Sequence, residues 1–308
     1  MTSNVDTLTP GSNQLGSVSS FSHISQGRKT TNTIATVLVY ATMAIAMIPL
    51  IWVLWEVISR GISPLLTLDW WTRSQQGVMY HNPGGGALHA IQGTLIQTGI
   101  TSVLSIPIGI FTAIYLVEYS NGNRLGRITT FMVDILTGVP SIVAALFVFT
   151  TWITLFGFQR SGMAVSLSLV ILMVPVIIRN TEEMLRVVPM DLREASYALG
   201  VPKWKTIVKI VLPTALSGIV TGVMLAIARV MGESAPVLIL VGSSQALNPD
   251  PFNGPMSSLP LMMLDMYKAG TSPAVLDKLW GAALTLVLII ALLNIGARVI
   301  SAKFSVKQ

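Results

Sequence analysis

Two charged residues lie four positions apart in an otherwise apolar part of the sequence, within ARVMGESAP. They are Arg229 and Glu233, and the surrounding residues 215–242 are apolar enough to cross a membrane. Residues at i and i+4 share one helix face, so the spacing predicts that the two side chains pair. A lone arginine in lipid costs at least about 2.5–3.5 kcal/mol, and ionisable residues inside membranes are usually functional. The pair is therefore a candidate for a transport route, with a structural salt bridge as the alternative.

Further charged residues lie in or beside apolar segments. Arg179 lies at the inner end of a predicted span, where it either receives a transported anion or follows the usual enrichment of arginine at the inner interface. Asp134 lies within another span, and we expect it to pair with Arg229 or to lie nearer the interface. Glu182 and Glu183 are expected to be solvated at the inner interface or to contact a partner.

The sequence offers no pattern for catalysis or for metal binding. The three histidines, His23, His81 and His89, lack metal-ligand spacing, and the chain has no cysteine and no nucleophile–base arrangement. The glycine run at 84–86 lacks the spacing of a phosphate-binding loop, and no Gly-Lys dipeptide occurs. We therefore expect a flexible loop there, no active site, no bound metal and no nucleotide site in this chain.

Composition decides which elements must position these residues. Of the 308 residues, 52% are hydrophobic and 10% are charged, and the mean hydropathy is +0.70. Soluble domains usually carry about 25% charged residues. The chain is therefore predicted to be an all-α membrane protein, because a helix satisfies its own backbone hydrogen bonds in lipid. The predicted spans are 34–58, 91–117, 128–156 (tilted or broken near Pro140), 163–180, 213–242 and 279–300.

The distribution of basic residues predicts that both termini lie in the cytoplasm. With the N-terminus inside, thirteen of the nineteen Lys and Arg residues fall on inner segments and five on outer ones, which leaves Arg229 within a span. The net charge of +6 therefore indicates topology rather than nucleic-acid binding. Residues 1–30, rich in Ser, Thr, Asn and Gly, are predicted to be a disordered cytoplasmic tail, and residues 31–308 a single transmembrane domain.

The inner connection after the fourth span, about 181–212, carries a motif. Residues 192–199 are predicted to form a short helix, and Gly200 followed by Pro202 ends it. The motif residues are Glu194, Ala195, Ser196 and Gly200, followed at fixed spacing by Ile210, Leu212 and Pro213. This pattern resembles the Glu-Ala-Ala loop of ABC importer permeases, with serine in place of the second alanine.

Flanking segments narrow the resemblance. GIFTAIYLVEY, GVPSIVAALF, VPVIIRNTEEMLRVVP and SGIVTGVMLAIARVMGESAPVL are similar to the permeases of phosphate-specific ABC importers, more closely to the PstA-type subunit than to the PstC-type subunit. The resemblance covers about residues 34–300. It implies the type I importer fold, with six transmembrane helices and a cytoplasmic coupling helix between spans four and five. Glu194, Ala195, Ser196 and Gly200 would dock an ATPase subunit.

The resemblance also implies partners and a substrate. The partners would be a PstC-like permease, two copies of a PstB-like ATPase that binds ATP and Mg²⁺, and a PstS-like phosphate-binding protein, in a bacterial or archaeal inner membrane. This chain would be surrounded by lipid and would bind no cofactor and no nucleic acid. Phosphate fits the charged pair, because the Arg229 guanidinium can donate two parallel hydrogen bonds to an oxyanion. Glu233 could accept the proton of hydrogen phosphate, which sulfate does not carry.

Alternatives remain at this stage. The chain could be the permease for another oxyanion, such as sulfate, molybdate or phosphonate. It could instead be an ion-coupled secondary transporter in which Arg229, Glu233 and Asp134 form a relay. A membrane enzyme is the weakest option, since no catalytic cluster is evident. Co-purification of a nucleotide-binding subunit distinguishes the importer from the other two classes.

Overall fold

The structure is a computed structural model that describes residues 26–304, and every regular element in that range is helical. The helices are α1 (Gln26–Leu65), α2 (Leu68–Thr72), α3 (Leu88–Ile114), α4 (Arg124–Thr137), α5 (Ser141–Val148), α6 (Gly162–Val187), α7 (Met190–Ala198), α8 (Lys203–Thr206), α9 (Leu212–Met231), α10 (Ala235–Leu240), α11 (Leu259–Ala269) and α12 (Pro273–Phe304). Three π-helical turns extend them, Tyr115–Tyr119 after α3, Phe149–Leu155 after α5 and Ile207–Val211 before α9.

The predicted tail falls mostly outside the described residues. Its part up to residue 25 lies outside them, and residues 26–30 belong to α1. In α1, residues 26–53 carry exposed side chains, among them Tyr40 and Trp52, which are 68% and 66% exposed. Apolar side chains exposed along a helix are typical of a segment whose solvent is lipid rather than water.

Six apolar spans are present if a bent pair of helices counts as one. Within the described residues, five helices are long and apolar enough to cross a membrane, and α4 with α5 forms the sixth span. The two halves of that span meet at an angle of 106°. Pro140 precedes α5 and lacks the amide needed to continue α4, so the predicted break at this proline is confirmed. The predicted span 213–242 is interrupted between Met231 and Ala235.

The core of the bundle is built around α6, which packs between α3 and α9. Glycines allow the backbones to approach closely on both sides. A Cβ atom on Gly109 of α3 would lie 2.5 Å from the Ile177 side chain, and one on Gly222 of α9 would lie 2.7 Å from Cβ of Asn180. Small residues at such crossings are the usual means by which membrane helices gain packing contacts. These contacts hold α3, α6 and α9 together.

The segment between α1 and α3 packs against α12. The Trp70 indole donates a hydrogen bond to the Thr285 hydroxyl at 2.9 Å, and the buried ammonium of Lys278 donates to the Asn82 carbonyl oxygen at 2.9 Å. Gly84 and Gly85, from the glycine run, adopt φ values of +98° and +78°. Glycine adopts such positive φ values without steric cost, which explains why glycine occupies these positions.

Candidate functional site

Arg229 and Glu233 do not pair in the structure. α9 ends at Met231, where the Gly232 amide donates to the Arg229 carbonyl oxygen at 3.1 Å, so Glu233 lies beyond the helix. Among the ion pairs formed within residues 26–304, none joins these two side chains. The predicted pair is wrong, because residues at i and i+4 share a face only while the helix continues.

Arg229 instead belongs to an exposed stripe on α9. Ser217, Thr221, Leu225 and Arg229 recur at every fourth position and are all exposed. We call these four residues the α9 stripe. They lie on a continuous helix, Lys203–Met231, that is long and apolar enough to cross a membrane. A charged side chain on such a surface requires water or another protein chain beside it, since lipid cannot solvate it.

Arg179 joins α6 to α4 through two carboxylates. Its Nη1 atom donates to Oε2 of Glu182 at 2.8 Å, and its Nη2 atom donates to the carboxylate of Asp134. The other oxygen of Glu182, Oε1, accepts from Nη2 of Arg186 at 2.6 Å. Asp134 therefore pairs with Arg179, and the alternative that it pairs with Arg229 is wrong.

Glu182 is a buried member of this network, contrary to the expectation that it is solvated. It is 6% exposed, whereas the neighbouring Glu183 is exposed. Each oxygen of the Glu182 carboxylate accepts a hydrogen bond from a guanidinium, which meets the requirement that a buried charge be paired and hydrogen-bonded. The helical spacing places Arg179 three residues before Glu182 and Arg186 four residues after it.

An open cavity of about 860 Å³ adjoins the network. Its walls come from the π-helical turn after α3, one face of α4, the end of α6 and the segment that contains α7. Its charged lining consists of four cations and three carboxylates: Arg127, Arg186, Arg193, Lys203, Glu118, Asp134 and Glu182. Carboxylates already hold two of the lining arginines in place, Arg186 by Glu182 and Arg193 by Glu118.

The predicted docking motif lies on α7 and on the turn that follows it. α7 spans Met190–Ala198, and Gly200 adopts φ +73°, which reverses the chain after the helix. Glu194, Ala195 and Gly200 are exposed. Ser196 does not share their face. It is 3% exposed and its hydroxyl lies 2.8 Å from the hydroxyl of Thr206.

Two further charged residues were missed as site residues. In the sequence, Arg193 is one of the thirteen inner basic residues, and Glu118 lies in the flanking segment GIFTAIYLVEY. The structure buries both and joins them, with Nη2 of Arg193 3.0 Å from Oε1 of Glu118. The available signal was a carboxylate at the end of an otherwise apolar run, TAIYLVEY. Within the described residues, no three His, Asp or Glu side chains are grouped so as to hold a metal ion.

Comparison with known proteins gives a family. A family model described as "Binding-protein-dependent transport system inner membrane component" matches residues 105–306. A Mycobacterium tuberculosis protein named "Phosphate transport system permease protein PstA 1" is 54% identical over 275 residues, which cover 89% of this chain and 89% of that protein. A Yersinia pestis protein named "Phosphate transport system permease protein PstA" is 40% identical over 278 residues, covering 90% and 92%.

Solved structures show the same fold. A chain in the crystal structure of a bacterial alginate ABC transporter, in complex with an alginate pentasaccharide-bound periplasmic protein, superposes with a TM-score of 0.59 at 14% identity, covering 89% of this chain and 96% of that one. A chain of the inward-facing MetNI methionine ABC transporter gives a TM-score of 0.55 at 19% identity, covering 72% and 95%. At these identities the likeness concerns the fold alone.

Proposed function

Because the chain belongs to the PstA phosphate transport permeases, we propose that it forms part of the route by which inorganic phosphate enters the cell. These permeases are binding-protein-dependent transport system inner membrane components. It is a multi-pass permease subunit of an ABC importer, not an enzyme. The choice of phosphate as substrate rests on one observation. The chain is 54% identical, over 89% of its length, to a protein named as a phosphate transport permease.

We propose an assembly of the kind that phosphate ABC importers have. The partner permease is a PstC-like chain, and two PstB-like ATPase subunits bind ATP and Mg²⁺. A PstS-like binding protein delivers phosphate from outside. The complex lies in a bacterial or archaeal inner membrane with both termini of this chain in the cytoplasm. The positive-inside distribution of Lys and Arg supports this orientation.

The phosphate route runs along the α9 stripe. Arg229 is exposed on this stripe within an apolar helix, so the partner permease and a water-lined passage between the two chains must cover it. There its guanidinium donates two parallel hydrogen bonds to phosphate oxygens. Glu233 lies just beyond the end of α9 and accepts a hydrogen bond from the protonated oxygen of hydrogen phosphate. Fully ionised sulfate has no such proton to donate.

A second phosphate-binding site lies at Arg179, within the network that it forms with Asp134, Glu182 and Arg186. Arg179 is held by Glu182 and by Asp134, whose side chain is 60% exposed. An incoming anion displaces the exposed carboxylate more readily than the buried one, because Asp134 regains water when it leaves. Arg179 then binds phosphate beside the cavity, and Asp134 competes for the guanidinium again as the anion departs.

The docking helix couples this route to ATP. The exposed residues Glu194, Ala195 and Gly200 meet the ATPase, while the buried side chains of α7 attach the helix to the bundle. Small residues on the exposed face permit close approach of the partner. Closure of the two ATPase subunits moves α7, and the spans joined to it move as well.

The first test is uptake of labelled phosphate at low external phosphate in cells that lack this gene and any second phosphate system. The gene is restored as wild type, as Arg229→Gln or as Arg73→Gln, a control that removes an exposed arginine paired with Asp69. We expect uptake to return with the wild type and with Arg73→Gln and to stay low with Arg229→Gln at equal membrane levels. Excess sulfate or molybdate should not compete.

Three results would contradict parts of the proposal. Full uptake by Arg229→Gln would show that the phosphate route does not depend on Arg229 of the α9 stripe. Uptake that sulfate or molybdate suppresses would instead assign the permease to another oxyanion. Isolation of the complex without an ATPase subunit would contradict the importer assembly itself.

A further inference from the structure

A buried arginine of α7 bonds to two other parts of the chain at once. Arg193 is 7% exposed, and its Nε and Nη2 atoms donate to Oε1 of Glu118 at 3.1 and 3.0 Å. Its Nη1 atom donates to the Val188 carbonyl oxygen at 2.7 Å, and Nη2 also donates to the Leu185 carbonyl oxygen at 2.9 Å. Carbonyls at the end of a helix lack helical partners, so the guanidinium closes the end of α6 while it holds Glu118.

The segment that follows the Gly200 turn also contacts Glu118, through Lys203. The Lys203 ammonium donates to the backbone carbonyl oxygen of Glu118 and lies 4.9 Å from the centroid of the Tyr119 ring. Glu118 therefore binds the residue before the turn through its side chain and the residue after the turn through its backbone. It lies in the π-helical turn Tyr115–Tyr119, and such turns often mark functional sites in helices.

These bonds have a mechanical consequence. The peptide chain connects α7 directly to α6 on one side and, through α8, to α9 on the other. The α3 helix is remote in sequence, and Glu118 connects it to α7 through Arg193 and to α8 through Lys203. Glu118 and Arg193 form a charge-assisted hydrogen-bonded pair. Glu118 is 6% exposed and Arg193 is 7% exposed, so solvent screens their attraction little.

We propose that Glu118 is a positioning residue that transmits movement of α7 to the α3 helix, so that α3, α6 and α9 respond together when α7 moves. The inference rests on the proposed function, in which α7 meets the ATPase. Glu118 lines the cavity with Arg186, but in this role it acts through Arg193 and Lys203 rather than by binding phosphate or ATP. Its loss therefore separates ATP hydrolysis from transport while Arg179 and Arg229 keep their places.

The test uses the complete transporter, reconstituted in liposomes with its binding protein, and measures phosphate moved per ATP hydrolysed. Glu118→Gln keeps the size of the side chain and one acceptor oxygen but removes the charge. We expect hydrolysis to continue while phosphate moved per ATP falls roughly fivefold or more, the lower part of the range of allosteric coupling. Lys203→Met removes the second contact from a partly exposed position and should lower the ratio by a smaller factor.

A matched control is Glu56→Gln, the same substitution at a glutamate paired with Arg60 on α1, and it should keep the wild-type ratio. A wild-type ratio in both Glu118→Gln and Lys203→Met overturns the inference. So does an equal fall of hydrolysis and transport, since a purely structural role lowers both. If Glu118→Gln fails to assemble, the ratio in Lys203→Met decides. Absence of phosphate transport by the wild-type complex would contradict the proposed function instead.

Discussion

Asp134 and Arg179, which are 45 residues apart in the sequence, form an ion pair that joins α4 to α6. The pair is uneven, because the Asp134 side chain is 60% exposed and the Arg179 side chain 29%. Arg179 also keeps a buried partner in Glu182. Asp134 can therefore leave Arg179 while Glu182 still pairs with it. This suits a site at which Arg179 binds Asp134 and phosphate in turn.

Asp134→Asn should make Arg179 easier for phosphate to reach. We expect a lower apparent KM for uptake together with a lower maximal rate, because no carboxylate then displaces the bound anion. Protein stability should change by less than about 1 kcal/mol, as for other solvent-exposed ion pairs. Uptake measured against phosphate concentration checks this, with Asp69→Asn as the control at another exposed pair. An unchanged KM and rate would show that Asp134 does not compete for Arg179.

Glu182→Gln should destabilise the protein far more than Glu183→Gln. The first change removes a buried charge that accepts from two guanidinium groups, and the second alters an exposed neighbour. The expected loss for Glu182→Gln is about 1–3 kcal/mol, as for other charged hydrogen-bond partners. Thermal unfolding of the two purified variants in the same detergent provides the measurement. Equal midpoints would mean that the network contributes no net stability.

The turn after α7 should accept asparagine and reject valine. Gly200 has φ +73°, a conformation that costs most L-residues about 1–2 kcal/mol but that asparagine adopts more easily. Gly200→Val should therefore reduce recovery of the ATPase subunit with the permease, and Gly200→Asn should retain most of it. Pull-down of the two chains from membranes measures both. Normal recovery with valine would exclude any need for this turn in docking.

Gly222→Ala should weaken the packing of α9 on α6. The added methyl group would lie 2.7 Å from Cβ of Asn180, an atom that cannot move without its helix. Overpacking of this kind typically costs about 1–3 kcal/mol. Gly99→Ala is the matched control, since a Cβ atom at that position would have no atom within 4 Å apart from the neighbouring backbone of its own helix. Unfolding temperatures should fall for the first variant and not for the second, and equal values would contradict the close approach.

Much of the architecture follows from patterns that are local in the sequence. Long apolar runs predict the spans, because a helix must satisfy its own backbone in lipid. Pro140 predicts the bend between α4 and α5, and Gly200 followed by Pro202 predicts the end of α7. Each signal acts through the backbone of a few neighbouring residues. Packing elsewhere in the molecule does not easily override it.

The error at Glu233 arose where two local signals disagreed. The apolar run continues from residue 213 to residue 242, but the helix ends at Met231 and a new helix begins at Ala235. Pro236 contains the relevant signal, since a proline ring clashes with the carbonyl four residues earlier, here that of Gly232. The break follows from the sequence once the proline is weighed against the apolar run.

The sequence alone determined where the apolar spans lie, the residues of the predicted docking motif and the presence of costly charges, since each depends on residue type and short spacing. The tertiary structure alone decided which charges meet. Asp134 pairs with Arg179, Glu182 is buried between two arginines, and Glu118 contacts both Arg193 of α7 and Lys203 of α8. The physical reason is that an ion pair depends on distances between side chains, and packing of helices distant in sequence sets those distances.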